Sequence, residues 1–153
     1  MKRKISVALA ILQAFVAIGA IPAGFSMVIQ PDGSGLGMTT DILKNSPFPD
    51  FFIPGLFLFT VNGLFNLVAA IMSFISTRFS AIPGLLLGIT LSVWICVQVY
   101  YIHLSSFMQP IFFGIGLTEI VLSIIIIKMS KPSIKILNPD KAEVSLGDQP
   151  FSL

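Results

Sequence analysis

The sequence predicts an all-α protein, a four-helix transmembrane bundle with both N-terminus and C-terminus cytoplasmic. Three observations carry this reading. Of 153 residues, 55% are hydrophobic and 10% charged, and the mean hydropathy of +0.94 excludes a water-soluble globular domain. Disorder is excluded by the same balance, because it needs low hydrophobicity and high charge. The charges also leave four long gaps. There are 27 residues between Lys4 and Asp32, 27 between Asp50 and Arg78, 24 between Arg78 and His103, and 24 from Leu104 to Ile127 interrupted only by Glu119. A bilayer-crossing helix needs about 20 mostly apolar residues. Finally, Lys and Arg segregate by side. Lys2, Arg3, Lys4, Arg78, Lys128, Lys131, Lys135 and Lys141 fall on one side of the predicted membrane and Lys44 alone on the other, which places both termini inside.

Helix is preferred to strand because the apolar runs are continuous and an open sheet leaves backbone groups unpaired in lipid. The first span is set at 5–28. Lys2, Arg3 and Lys4, with Ala17-Ile18-Gly19, imitate a signal peptide and its cleavage site, but the apolar run exceeds the usual 7–15 residues, so a retained helix is expected. Pro22 inside it should kink the helix or end it early. The second span is set at 52–75, the third at 81–102 and the fourth at 108–127. Pro54, Pro83 and Pro110 lie near their starts, where a missing N–H costs little. Ile-Pro-Gly-Leu occurs at 53–56 and 82–85. The copies begin on opposite sides of the membrane, which excludes a simple parallel repeat. Residues 1–131 thus form one membrane domain, and 132–153 read as a flexible cytoplasmic tail.

The outer loop, 30–50, opens with the turn-rich Gln30-Pro31-Asp32-Gly33-Ser34-Gly35. Thr39 or Thr40 can cap a short helix through Leu43 and Lys44. The expected role is a cover over the outer end with Phe48 and Phe51 tucked beneath it. Asp32, Asp41 and Asp50 lack the spacing of a calcium loop, so no metal is expected. No cofactor is expected either.

Polar residues inside the spans carry the candidate site. Gln13, Asn62, Asn66 and Glu119 fall near mid-membrane, with Gln98 roughly 10 Å nearer the outer face at about 1.5 Å rise per residue. Gln13, Asn66 and Glu119 are expected within about 5 Å of one another in depth by the same rise. Each belongs to a stripe of small or polar residues at helical spacing: Ala10, Gln13, Ala17, Ala20 and Gly24; Asn62, Asn66, Ala69 and Ser73; Phe112, Gly116, Glu119 and Ser123. The third span carries Gly84-x-x-x-Gly88. Such stripes face other helices, because lipid offers no hydrogen bonds and small residues let backbones approach. Glu119 has no basic side chain at its depth. An ionised carboxylate there is costly, which favours the neutral acid, with Asn66, Asn62 and Gln13 as fitting partners. The ring serves equally as interhelical glue, at about 0.6 kcal/mol per bond, or as a proton or cation site.

The remaining candidates lie at the outer face: His103, Tyr100 and Asp32. Cys96 reads as packing, and a single cysteine excludes an internal disulfide. Trp94 also reads as packing. Hydrolase, metalloprotease and ATPase motifs are absent from the sequence, and a net charge of +2 gives no nucleic-acid footprint.

Gln30-Pro31, Gly35-Leu36-Gly37-Met38, Ser46-Pro47-Phe48, Ile53-Pro54-Gly55-Leu56, Trp94-Ile95-x-Val97-Gln98-Val99 and Gln109-Pro110 resemble a group of small bacterial four-span membrane proteins of unknown function. The resemblance covers most of 5–127 and implies a multi-pass protein of the bacterial cytoplasmic (plasma) membrane, without implying an activity. In size and layout alone the chain is also similar to DoxX-like proteins, but lacks the paired cysteines of redox members. Three functions follow in order of expectation. The first is a non-enzymatic bundle binding a partner or lipid-like ligand. The second is a proton- or cation-coupled transporter component using Glu119, then a homodimer. The third is an outer-face lipid-modifying enzyme using His103 and the loop aspartates. The expected partners are membrane lipids and a second copy or another membrane protein.

Overall fold

The computed structural model describes residues 1–130; the expected tail at 132–153 lies outside the described residues. Four helices are long and apolar enough to cross a membrane: α1 (Lys2–Ile29), α2 (Phe52–Ile75), α3 (Ala81–Ile102) and α4 (Met108–Ser130). No strand occurs among the described residues. The helices alternate in direction, so the start of α1 and the end of α4 share one end of the bundle, the terminal end. The long connection between α1 and α2 covers the other, the loop end.

Pro54, Pro83 and Pro110 each occupy the third residue of a helix, within the first turn, whose N–H groups have no intrahelical acceptor. Of the two outcomes expected at Pro22, an early end does not occur: α1 runs on to Ile29. In hydrocarbon a broken helix strands donors and acceptors that water cannot satisfy, so continuation through one proline is the cheaper course. Within α2, Leu58–Phe65 adopts the wider i→i+5 turn of a π-helix between α-helical flanks Phe52–Phe57 and Asn66–Ile75. Nothing in the periodicity announces it.

Two tight pairs build the bundle. In the first, α1 packs along the whole of α2. At their crossing, Gly24 lies so close to α2 that an added Cβ would sit 2.7 Å from Phe59 Cα. In the second pair α3 packs along α4. There Gly88 abuts Gly116, and an added Cβ on Gly84 would sit 2.6 Å from Ser123 Oγ, so the Gly-x-x-x-Gly spacing marks the seam it predicts. The pairs join mainly through α1 against α4, whereas α2 and α3 touch sparsely. The α1–α2 and α3–α4 seams are therefore extensive, α1–α4 is shorter, and α2–α3 is the sparsest of the four.

The loop carries two 3-10 turns, Ser34–Leu36 and Thr40–Leu43. Its ends are tied by Phe51 N–H donating to Pro31 O at 2.8 Å. Phe51 is 3% exposed and Leu43 6%, and Phe48 is half-buried, in keeping with a cover folded over the bundle. The turn at Thr40–Leu43 reaches across to α3.

Candidate functional site

The four stripes turn inward as expected. Gln13, Asn62, Asn66, Ser73, Glu119 and Ser123 are all 0% exposed, while Ile18, Ile75 and Ile82 stand outside at 68% or more. Cys96 departs from its expected packing role and lies on the exposed outer surface of α3.

The polar groups divide into two sets where one ring was expected. Gln13 accepts a hydrogen bond from Ser73 Oγ at 3.0 Å, and Ser6 Oγ donates to Ser73 O at 2.9 Å. Arg3 closes this set at the terminal end by donating to Ser73 O at 3.3 Å and to Phe74 O. Asn66 lies seven residues from Ser73 along α2, about 10 Å of rise, and instead donates to Asn62 O at 3.1 Å within its own helix. Glu119 sits in the α3–α4 seam, its Cβ 3.0 Å from where a Cβ on Gly88 would lie. Its level can be read from neighbouring contacts. Leu9 clusters with Ile126, and Gly19 lies against Phe112, so Glu119, midway along α4 between Ile126 and Phe112, is level with Gln13.

The expected bonds between Glu119 and the amides are not formed. Both carboxyl oxygens, Ser123 Oγ, Gln13 Nε2, Asn66 Oδ1 and both polar atoms of the Asn62 side chain are buried without a hydrogen-bond partner among the described residues. The packing separates the groups: Gln13 Oε1 is bonded to Ser73 within the α1–α2 pair and Asn66 to its own helix, while Glu119 lies beside Gly88 in the α3–α4 pair.

The loop half of the bundle encloses a cavity of about 340 Å³, bounded by all four helices and the loop. Val16, Leu91, Ile95 and Phe112 form its deep walls, Asn62 lies at its floor, and Met38, Leu43, Phe48 and Phe51 cover it. Its polar contributors are neutral: Asn62, Gln98, Gln109, Tyr101, Trp94 and three serines. Among the described residues no charged side chain contributes to its wall. The volume lies within the roughly 300–1,000 Å³ of small-molecule sites, which are likewise mostly apolar with few polar groups.

Of the sequence candidates, Asn62 and Gln98 border this cavity, whereas Glu119, Asn66 and Gln13 lie deeper in the bundle. His103, Tyr100 and Asp32 do not border it. His103 is exposed at the end of α3 with φ 56° and ψ −168°. Tyr100 is 77% exposed and stacks edge-on to Tyr101 at 5.0 Å. Asp32 accepts from Ser34 N at 3.0 Å and Ser34 Oγ at 2.7 Å, which holds its carboxyl below the usual aspartate range. Asp41 pairs with Lys44 at 2.8 Å, lowering the acid and raising the base. Among the described residues no group of three or more potential metal ligands converges.

Sequence reasoning missed Gln109 and the role of Trp94. Gln109 is 5% exposed and its Oε1 accepts from Ser106 N–H at 3.4 Å, while Ser106 Oγ accepts from Met108 N–H at 3.2 Å. Ser106-x-x-Gln109 is thus a capping box at the start of α4, a signal legible in the sequence. Trp94 stacks on Phe57 with ring centroids 4.5 Å apart and planes 26° apart. No sequence pattern points to that pair. Comparison with protein-family models, with curated proteins and with solved structures finds no match for this chain.

Proposed function

We propose that the protein is a non-enzymatic membrane protein that holds one neutral, lipid-like molecule in the cavity beneath its loop. The observation that carries this reading is the apolar space of about 340 Å³, walled by every helix and, among the described residues, free of charged lining. An ionic ligand there would lose its hydration with no counter-charge to replace it. An apolar chain or ring fits, with Asn62, Gln98 and Gln109 offering amide donors and acceptors to a carbonyl or hydroxyl. The orientation belongs to the same proposal. Lys2, Arg3, Lys4, Arg78 and Lys128 lie at or near the terminal end against Lys44 in the loop, which supports a cytoplasmic terminal end and a setting in a cytoplasmic membrane.

The test is native mass spectrometry of protein released from phosphatidylethanolamine–phosphatidylglycerol nanodiscs. Wild-type protein retains one lipid-like molecule per chain. Ala23→Phe, which projects a ring into the cavity from α1, retains none while keeping its helical circular dichroism. Equal retention by both proteins refutes the reading.

One observation favours a second reading, a proton- or cation-coupled transporter working as a homodimer: Glu119 is fully buried, and neither carboxyl oxygen has a partner among the described residues. Its test is Glu119→Gln in reconstituted vesicles. Transport predicts lost flux with the fold retained, and a purely structural acid predicts unchanged flux. An enzyme of the outer face has less support, since His103 and Asp32 stand outside the cavity.

A further inference from the structure

The cavity's walls are unequal, and their weakest point identifies how it is filled. The α1–α2 and α3–α4 seams are extensive, both through glycines that bring backbones into contact, and α1–α4 is shorter. The loop end is covered, with Phe51 buried and the loop's two ends hydrogen-bonded together. The fourth seam, α2–α3, has few contacts, and in the loop half the Phe57–Trp94 stack bridges it. Trp94 borders the cavity and Phe57 does not. Phe57 is half-buried and Leu56, beside it, is 41% exposed on the apolar exterior. The pair therefore stands between the cavity and the surface that four apolar spans turn to hydrocarbon.

The backbone next to this pair is unusual. Phe57 is the last α-helical residue before the π-helical stretch Leu58–Phe65. A π-turn holds one more residue than an α-turn. The junction between the two helical registers therefore falls at the residue that stacks on Trp94.

We infer that the α2–α3 seam is a lateral portal, closed by Phe57 stacked on Trp94, through which an acyl chain of a bilayer lipid enters the cavity. The inference rests on the ligand-binding reading above and adds the ligand's class and its source. An acyl chain suits the charge-free wall, and arrival from the bilayer spares it any passage through water. An apolar solute arriving from the aqueous side would have to displace the loop instead.

Trp94 is the chain's one tryptophan, so its emission reports the portal directly. Protein in phosphatidylcholine vesicles is mixed with vesicles of brominated phosphatidylcholine in the presence of a lipid-exchange agent, and the slow quenching phase is followed. Phe57→Ala should accelerate that phase about two- to tenfold, the factor set by losing one aromatic stack. Phe57→Leu, which keeps bulk and guards against a folding defect, should give a smaller acceleration. Asp32→Ala, which removes the Asp32–Ser34 turn of the loop without touching the cavity wall, should leave the rate unchanged. A water-soluble brominated fatty acid added from outside forms the second arm, and its entry should likewise respond to Phe57 and not to Asp32. Acceleration by Asp32→Ala with none by either Phe57 variant, in either arm, overturns the portal and assigns entry to the loop. Retention of one lipid by wild type in native mass spectrometry together with Phe57-independent exchange overturns the portal alone. Absence of any retained lipid overturns both it and the binding reading.

Discussion

Gly24→Ala tests the α1–α2 crossing on which the cavity's geometry depends. The new Cβ would lie 2.7 Å from Phe59 Cα and 2.8 Å from Gly55 O, and closer still to Phe59 N. All three are backbone atoms, so no rotamer change relieves the contact. Ordinary contact begins at 3.4 Å, so the helices must part by at least 0.7 Å, the difference between 3.4 and 2.7. A gap of that size forfeits a quarter to a half of each atom pair's ~0.1–0.2 kcal/mol along the seam. Overpacking of this kind costs about 1–3 kcal/mol, and direct collision with backbone argues for the upper end. Alanine's better helix propensity returns up to about 1 kcal/mol. No hydrophobic transfer enters, because parted helices meet lipid rather than water. The expected loss is about 2 kcal/mol. Reversible unfolding in mixed detergent micelles, followed by Trp94 emission and circular dichroism, measures it. Gly114→Ala is the control. An added Cβ there meets nothing within 4 Å, so stability should hold or rise by up to about 1 kcal/mol. Equal stabilities for the two variants would refute the close crossing.

Three further outcomes are expected. Arg3→Met should cost about 1 kcal/mol in the same unfolding assay, because it removes the charged donor from the last carbonyls of α2; an unchanged midpoint argues against that cap. His103→Gly should stabilise by about 1 kcal/mol, since φ 56° with ψ −168° belongs to a region that glycine enters freely; destabilisation would show that His103 is held there by contacts of its own. The Asp32–Ser34 turn should be pH-dependent in acid. Because the folded Asp32 pKa lies below its ordinary value, the contribution is complete above that ordinary value and fades as pH falls through the depressed one. A side-chain carboxyl titration by NMR reads it, and Ser34→Ala should move the midpoint upward. A midpoint indifferent to Ser34 contradicts the assignment.

The sequence alone determined the number of helices and their limits closely. The predicted second and third spans, 52–75 and 81–102, coincide with α2 and α3, because charges cannot enter hydrocarbon cheaply and so mark where it ends. It also determined which faces turn inward, through stripes of glycine, alanine and amide side chains that lipid cannot satisfy. Tertiary structure alone decided which helices pair. A stripe records that a face is buried and not against what. Gln13 is therefore bonded to Ser73 and not to Asn66, and Glu119 rests on Gly88. The π-helical turn in α2, the Phe57–Trp94 stack and the cavity they border have no one-dimensional signature. Each exists because two well-packed helix pairs meet on one side and leave the other ajar.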